Sequence, residues 1–379
     1  MGIEITKVEP GDIHQLLHLY LSVYGSVYPL PLGSDPPTME RMIKSSEVLW
    51  LVARDGQHLI GSAVFELETM HRIGKLEGVV VDPAYRKMRI ANSMIATGTR
   101  ALLTAGSQIL SIYATTRTVS MGPQLMCLKE GFLPLGIFPN SHRLESYESV
   151  TLLAKFQPDV LTRRRQVEAV PARIAPILNI ANAVLGSDQP VTVLEPPPHR
   201  AAPERRSAHK FEFIMAPRLV ERRCHEKFPD PADRFYPFHK PNLLIASEDG
   251  EVEIYAFLSR PDRYCVLLAV NVPISTVEDR LSHLFDQLAD YGASYIETLI
   301  RLDRTEAINS LLELQFLPSA IYPAMREIQG ELYDMIIMSR TMEPLNFRGM
   351  AVERSFKPYI DQYVDLWRQL YLDTLEVSK

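Results

Sequence analysis

The chain predicts an α/β (α+β) fold of two domains, each a mixed, mostly antiparallel twisted sheet flanked by helices. Three observations lead there. Its 379 residues suit two domains of ordinary size. Short apolar runs alternate with stretches of helical periodicity. The second half also repeats, weakly, the element order and some residues of the first. Composition is that of a globular protein, 46% hydrophobic and 23% charged. The net charge of −6 argues against a nucleic-acid partner, since such binders tend to be basic. No apolar run is long enough to span a membrane. The start, Met-Gly-Ile-Glu-Ile-Thr, lacks the basic and apolar regions of a secretory signal. It fits a loose myristoylation pattern, but the same residues read as a buried strand. Cys127, Cys224 and Cys265 are too scattered for a metal site or a disulfide framework, which suits a reducing cytoplasm. Cys224-His225 reads as packing and surface, because adjacent residues point apart on a helix.

The first half divides as follows. Ile3 to Lys7 reads as a strand. Asp12 to Tyr24 reads as a helix, with Ile13, Leu16, Leu17 and Tyr20 on one face. Val48 to Asp55 and Leu59 to Phe65 form a hairpin across an Asp55-Gly56 turn. Val79 to Val81 is an apolar run suited to a buried strand, ended by Asp82-Pro83 because proline cannot donate to a ladder. A basic turn, Arg86 to Ala91, then opens a helix running to Leu103, with small and apolar residues on one side. Gln108 to Ala114 is another strand, Pro123 to Glu130 a helix, and Ser149 to Lys155 the closing strand. Glu77, Val79 and Val81 fall on one face by alternation.

The turn carries the chemistry. A strand feeding a basic turn at a helix start presents unpaired backbone N–H groups and the positive end of the helix dipole, which favours phosphate. Val81-x-Pro83 followed by Arg86-x-x-Arg89-Ile90-Ala91 resembles the acyl-CoA signature of the GNAT (Gcn5-related N-acetyltransferase) superfamily. Arg89 and Lys87 stand where that family usually has glycine. Arginine adds charge but removes the freedom that lets a backbone approach a phosphate closely. Residues 120–149 also resemble, weakly, the bacterial β-lysine acetyltransferase branch.

The resemblance implies acetyl-CoA (coenzyme A) as cofactor and direct acyl transfer to an amine. Backbone groups of Val79, Val80 and Val81 are expected to hold the pantetheine and polarise the thioester carbonyl. Arg86, Lys87, Met88, Arg89, Ile90, Ala91 and Ser93 are expected around the pyrophosphate. An amine is protonated at neutral pH and needs a base, for which the resemblance offers Glu77, at the start of the signature strand. Glu66 and Glu68 on the preceding strand are rivals, and all three also read as surface strand residues. Cys127 replaces the tyrosine that usually protonates the leaving thiolate; it reads either as an acid or as an inert core residue. Ser120 stands where many relatives carry an asparagine. Tyr24, Tyr28 and the loop Pro29 to Pro37 lie where acceptor loops fall; Asp35 and Glu40 read as solvated loop and helix-start residues. No metal is expected.

The second half echoes the first. Phe132-Leu-Pro aligns with Phe316-Leu-Pro, and Ile137-Phe-Pro with Ile321-Tyr-Pro. Tyr264 to Pro273 resembles a second signature strand. A helix follows, with Val277, Leu281, Leu284, Phe285 and Leu288 at helical spacing, then strand Ser294 to Ile300, helix Glu306 to Gln315 and closing strand Tyr333 to Ser339. The residues after Pro273 include Glu278 and Asp279 and no glycine, so this copy keeps the fold and loses the cofactor. The expected division is 1–156 for a GNAT acyl-CoA-binding catalytic domain, 157–210 for a linker, and 211–379 for a degenerate GNAT-like domain. In the linker, Ala172 to Gly186 is helical, Val191 to Pro203 is proline-rich and extended, and Thr162 to Gln166 is a solvated charge run. Phe356 to Leu372 is an amphipathic helix that caps the second domain or forms a subunit contact in a homodimer.

The expected function is an acetyl-CoA-dependent N-acetyltransferase acting on a small-molecule amine or amino acid. The alternative is a non-catalytic acyl-CoA-binding regulatory pseudoenzyme, suggested by the altered glycines and the missing tyrosine. Tandem GNAT-like ligases that use aminoacyl-tRNA carry a helical arm and basic surfaces that this chain lacks. Mycothiol-synthase-like enzymes share the tandem plan with the working loop in the opposite half.

Overall fold

The computed structural model describes residues 2–25, 31–143, 147–188, 190–195 and 209–372. Tyr28, Pro29 and the proline-rich segment from Pro196 onward lie outside the described residues. The chain forms two compact units. The first comprises Met1–Thr116, Met121–Pro134 and Leu152–Thr162. The second comprises Arg117–Ser120, Leu135–Thr151 and Arg163–Lys379.

The first stretch runs β1 (Ile3–Lys7), α1 (Ile13–Tyr24), α2 (Pro36–Lys44), β2 (Val48–Asp55), β3 (His58–Glu68), β4 (Ile73–Val81), α3 (Ile90–Leu102), β5 (Ser111–Arg117), α4 (Gly122–Lys129), β6 (Leu133–Arg143) and β7 (Tyr147–Phe156). In the first unit the strand order is β1-β2-β3-β4-β5, followed by residues 152–156 of β7. β1 to β4 pair antiparallel, and β4 pairs parallel with β5. Two elements go beyond the sequence reading. α2 starts inside the Pro/Gly-rich loop because Asp35 caps it, accepting from the Thr38 amide at 3.0 Å. β4 begins at Ile73, so Glu77 lies in mid-strand and not at the strand start. In the preceding turn Arg72, at φ +58°, takes the place a glycine usually marks.

α1 and α2 bury Leu16, Leu19, Tyr20 and Met39 against Trp50, Val52, Val64 and Val80. Phe65 alternates with Val64 and meets α3 instead. A Cβ on Gly98 of α3 would lie 2.2 Å from the Phe65 ring, so the helix can approach this face only because residue 98 has no side chain.

The second unit adds β8 (Ala169–Pro171), α5 (Ala175–Leu185), β9 (Thr192–Leu194), β10 (Phe211–Met215), α6 (Pro217–Lys227), β11 (Leu243–Ser247), β12 (Glu253–Ser259), β13 (Tyr264–Val270), α7 (Glu278–Tyr291), β14 (Tyr295–Arg301), α8 (Thr305–Glu313), β15 (Leu317–Ile328), β16 (Glu331–Thr341) and α9 (Lys357–Tyr371). Its strand order is β10-β11-β12-β13-β14-β16-β15-β6. From β10 to β16 the element order repeats β1 to β7 with one helix fewer, and β13–β14 is the parallel pair. β8 and β9 form a separate two-stranded parallel sheet. The basic run at 163–165 is not simply solvated. Arg164 pairs with the buried Asp334 at 2.8 Å, while Arg165 meets Glu331 at 3.0 Å on the surface.

Candidate active site in the first unit

β4 and β5 run in register only from Ile73–Ser111 to Lys75–Tyr113. Beyond Lys75 the ladder ends and the two strands part. On its other edge β4 stays paired with β3, but the register shifts, with Val64 opposite Glu77 and Ser62 opposite Val80. β4 therefore carries an extra residue, a β-bulge centred on Gly78 at φ +61°. A Cβ there would come within 2.9 Å of both Leu32 and the Tyr20 hydroxyl, so the bulge is built for glycine twice over. The bulge also corrects the expected alternation. Glu77 shares its face with the core residue Val80, while Val81 lies on the opposite face.

A buried polar network holds the bulge. Tyr20 Oη donates to the Gly78 carbonyl at 2.7 Å and lies 3.1 Å from Ser62 Oγ. Trp50 Nε1 donates to the same Ser62 oxygen at 2.8 Å. Tyr20 spends its one proton on Gly78, so Ser62 donates to Tyr20. Burial pushes the Tyr20 phenol well up, which keeps it a neutral donor. Tyr24 Oη reaches the Val79 carbonyl at 3.4 Å. None of this network was visible as a motif. The one sequence signal was Tyr20 on the apolar face of α1, where a hydroxyl must find a buried partner.

After Val81, Asp82 accepts from the Ala84 amide at 2.8 Å and shapes the turn into the basic loop. Arg86, Lys87, Met88 and Arg89 are all exposed, and among the described residues the three cations form no ion pair. Lys87 sits at φ +68° and Arg89 at φ +59°, both left-handed. The expectation that side chains here would deny the loop its glycine-like path is corrected: the backbone takes that path anyway. Each position costs about 1–2 kcal/mol relative to glycine. Arg89 is the N-cap of α3 and its side chain caps nothing. The Ser93 amide closes the first turn on the Arg89 carbonyl at 2.9 Å, and the amides before it point out of the helix end. Ile90 is buried and Ala91 half-buried, so these two offer backbone, while Ser93 is exposed.

The acidic residues lie where β4 leaves β5. Lys75 Nζ is 2.6 Å from Glu77 Oε2, whose side chain keeps 11% of its exposure. Glu66 stands opposite Lys75. Burial, and then the charge of Glu77, push the Glu66 carboxyl up, with Lys75 opposing. Cys127 lies on α4, 1% exposed, and burial pushes its thiol up to about 12. These are the surroundings of a core residue. Ser120 is exposed and belongs to the second unit. Asp35 caps α2, and Glu40 pairs with Lys44 on the surface.

A strand pair that parts beside a bulge, followed by a basic turn at a helix start, describes a known domain. Residues 13–120 match the model of the acetyltransferase (GNAT) family. This stretch is a GNAT domain. No curated protein matches the chain. Among solved structures, a GNAT-family acetyltransferase from Streptococcus pneumoniae is 17% identical and covers 41% of this chain and 99% of its own, with a TM-score of 0.37. A spermidine N-acetyltransferase from Vibrio cholerae, in complex with CoA and spermine, is 16% identical over 41% of this chain and 95% of its own, with a TM-score of 0.35. An aminoglycoside 6'-N-acetyltransferase complexed with coenzyme A is 18% identical over 40% and 96%, with a TM-score of 0.34.

The second unit offers a contrast at the matching place in the element order. β13 and β14 run in register from Tyr264–Tyr295 to Leu267–Thr298 and then part. But α7 opens with Glu278 and Asp279, and Arg280 is held by Asp249 and Glu251 at 2.8 and 2.9 Å. Two carboxylates at a helix start repel phosphate, so this parting strand pair is not followed by a cationic turn as β4 is.

Proposed function

We propose that the GNAT domain binds acyl-CoA, acetyl-CoA in the simplest case, and transfers the acyl group to a primary amine of a small molecule or amino acid by direct attack. One observation carries this reading: β4 parts from β5 immediately before a cationic loop that ends in left-handed Arg89 at an uncapped helix start. That corner suits a chain-like ligand ending in a diphosphate. The amides that precede Ser93 would hold the diphosphate, with Arg86, Lys87 and Arg89 adding charge. The backbone of Val79 to Val81, which follows the Gly78 carbonyl held by Tyr20, would hold the pantetheine amides and the thioester oxygen. Val80 can serve only through its backbone, since its side chain is in the core. Bound acetyl-CoA would supply the thioester carbon that the amine attacks.

Glu77 lies on β4 two residues past the last pair with β5 and is our choice for the group that takes the amine's proton. Cys127 we place in the core, with no proton-transfer role. The second unit is, on this reading, a degenerate copy whose α7 start excludes the cofactor. A non-catalytic acyl-CoA-binding regulator is the second reading, favoured by the buried Cys127 where an acid would be wanted. Calorimetry of acetyl-CoA against wild type and an Arg86→Ala/Arg89→Ala double variant tests the site. Binding should weaken at least tenfold, as expected for two lost charge-assisted contacts of about 1.4 kcal/mol together. Equal affinity in the variant would discard the assigned phosphate site. Thiol release over an amine panel separates the two readings, since binding without turnover on any amine points to the regulator.

A further inference from the structure

The bulge on β4 leaves one choice that its own backbone does not make. Gly78 sits at φ +61°, and glycine adopts either sign of φ at similar cost. The peptide between Gly78 and Val79 therefore has two orientations open to it, related by a flip about the chain direction. A group outside the strand has to choose between them. Three buried side chains from three different elements end on that peptide. Trp50 Nε1 of β2 donates to Ser62 Oγ of β3 at 2.8 Å. Ser62 Oγ lies 3.1 Å from Tyr20 Oη of α1, which donates to the Gly78 carbonyl at 2.7 Å. An indole N–H donates and never accepts, so the relay runs one way only, from Trp50 to Gly78. Each bond in such a chain polarises the next, and all three side chains are buried away from competing water.

A trans peptide carries its C=O and N–H on opposite sides, and among the described residues no peptide bond is cis. With the Gly78 oxygen turned to Tyr20, the Val79 N–H is turned away from that hydroxyl. Val79 lies four residues past Lys75, the last residue of β4 in register with β5. This N–H thus belongs to the stretch of β4 that has lost its neighbour. We propose that Trp50, Ser62 and Tyr20 are positioning residues that set the direction of the Gly78–Val79 peptide, so that it offers an N–H and not a carbonyl oxygen to the thioester oxygen of bound acyl-CoA. This rests on the acyl-transfer reading of the same corner. None of the three touches the ligand. A flipped peptide would set oxygen against oxygen and turn the donor into a repulsive dipole at the atom where negative charge develops. A purely structural network would act through packing instead, and phenylalanine at position 20 keeps nearly all of that packing.

The test is isotope-edited infrared spectroscopy of acetyl-CoA, carbon-13 labelled at the acetyl carbonyl, bound to the full chain. Calorimetry and urea unfolding on the same samples establish that each variant binds and folds. In wild type the carbonyl stretch should fall below its frequency in water, because the amide polarises the bond. In Tyr20→Phe it should return most of the way to the value in water while affinity stays close to wild type, since the diphosphate contacts are untouched. An unchanged stretch in folded, acetyl-CoA-bound Tyr20→Phe overturns the proposal. If Tyr20→Phe fails to fold, Ser62→Ala is read in its place. Losing the middle of the relay should return part of the shift, and no return overturns the proposal. Acetyl-CoA bound by wild type with an unshifted carbonyl would sink the proposal alone. Failure of wild type to bind acetyl-CoA at all would sink the acyl-transfer reading and the proposal with it.

Discussion

At the scale of single residues, conformation and burial decide more than chemical type. Arg89 and Lys87 occupy left-handed backbone that L side chains rarely adopt. Arg89→Gly should therefore raise stability by about 1 kcal/mol in urea unfolding, partly offset by the freer unfolded chain, while weakening acetyl-CoA binding through the lost cation. A variant that is both less stable and tighter-binding would contradict this. Cys127, Cys224 and Cys265 are all buried, and burial pushes the Cys127 and Cys224 thiols up to about 12 and about 11. The thiolate is the reactive form, so native protein should react with Ellman's reagent only slowly and release its thiols on unfolding. Rapid native labelling of Cys127 would reopen it as an acid. The cationic loop could be found from the sequence because charge is written in residue type. Its left-handed path could not, because nothing in Lys87 or Arg89 announces it.

At the scale of elements, two glycines set how closely parts of the first unit approach. Gly98→Ala would drive a Cβ into the Phe65 ring, and a cost of about 1–3 kcal/mol should appear as a lowered urea midpoint. Gly78→Ala faces both a left-handed backbone and two neighbours, so it should cost about as much again and also raise the KM for acetyl-CoA, because it disturbs the strand that would carry the thioester contacts. Tyr20→Phe removes the donor to the Gly78 carbonyl and should cost about 1–2 kcal/mol. Hairpins and amphipathic helices were legible through their periods of two and about 3.6 residues. The bulge was not, because alternation assumes an unbroken ladder. Glu77 was accordingly grouped with Val79 and Val81 when it shares a face with Val80.

At the scale of the whole molecule, the second unit buries its own acids. Glu297 on β14 accepts hydrogen bonds from Tyr236, Tyr264 and Tyr295, the last at 2.9 Å. Burial still pushes its carboxyl up despite these three donors. A raised folded value means that the folded chain holds a proton the unfolded chain has released. This contribution is present below the ordinary glutamate range and is lost as pH rises through the raised value. The stability of Glu297→Gln relative to wild type should therefore improve as pH rises from the ordinary glutamate range through the raised value, measured by urea unfolding. A flat difference would mean that Glu297 titrates normally. In calorimetry a single acetyl-CoA site per chain is expected, since the α7 start carries Glu278 and Asp279 in place of cations.

The sequence by itself determined the periodic elements, the cationic turn at a helix start and the acidic replacement of that turn in the second half. These follow from local pattern and residue charge, which survive without knowledge of neighbours. Only the tertiary structure decided where β4 leaves β5, that a bulge puts Glu77 on the face of Val80 and not of Val81, and that Cys127 is sealed in the core. Each of those depends on which strand lies alongside and how many residues each partner uses, and register between distant segments is not encoded in any one of them.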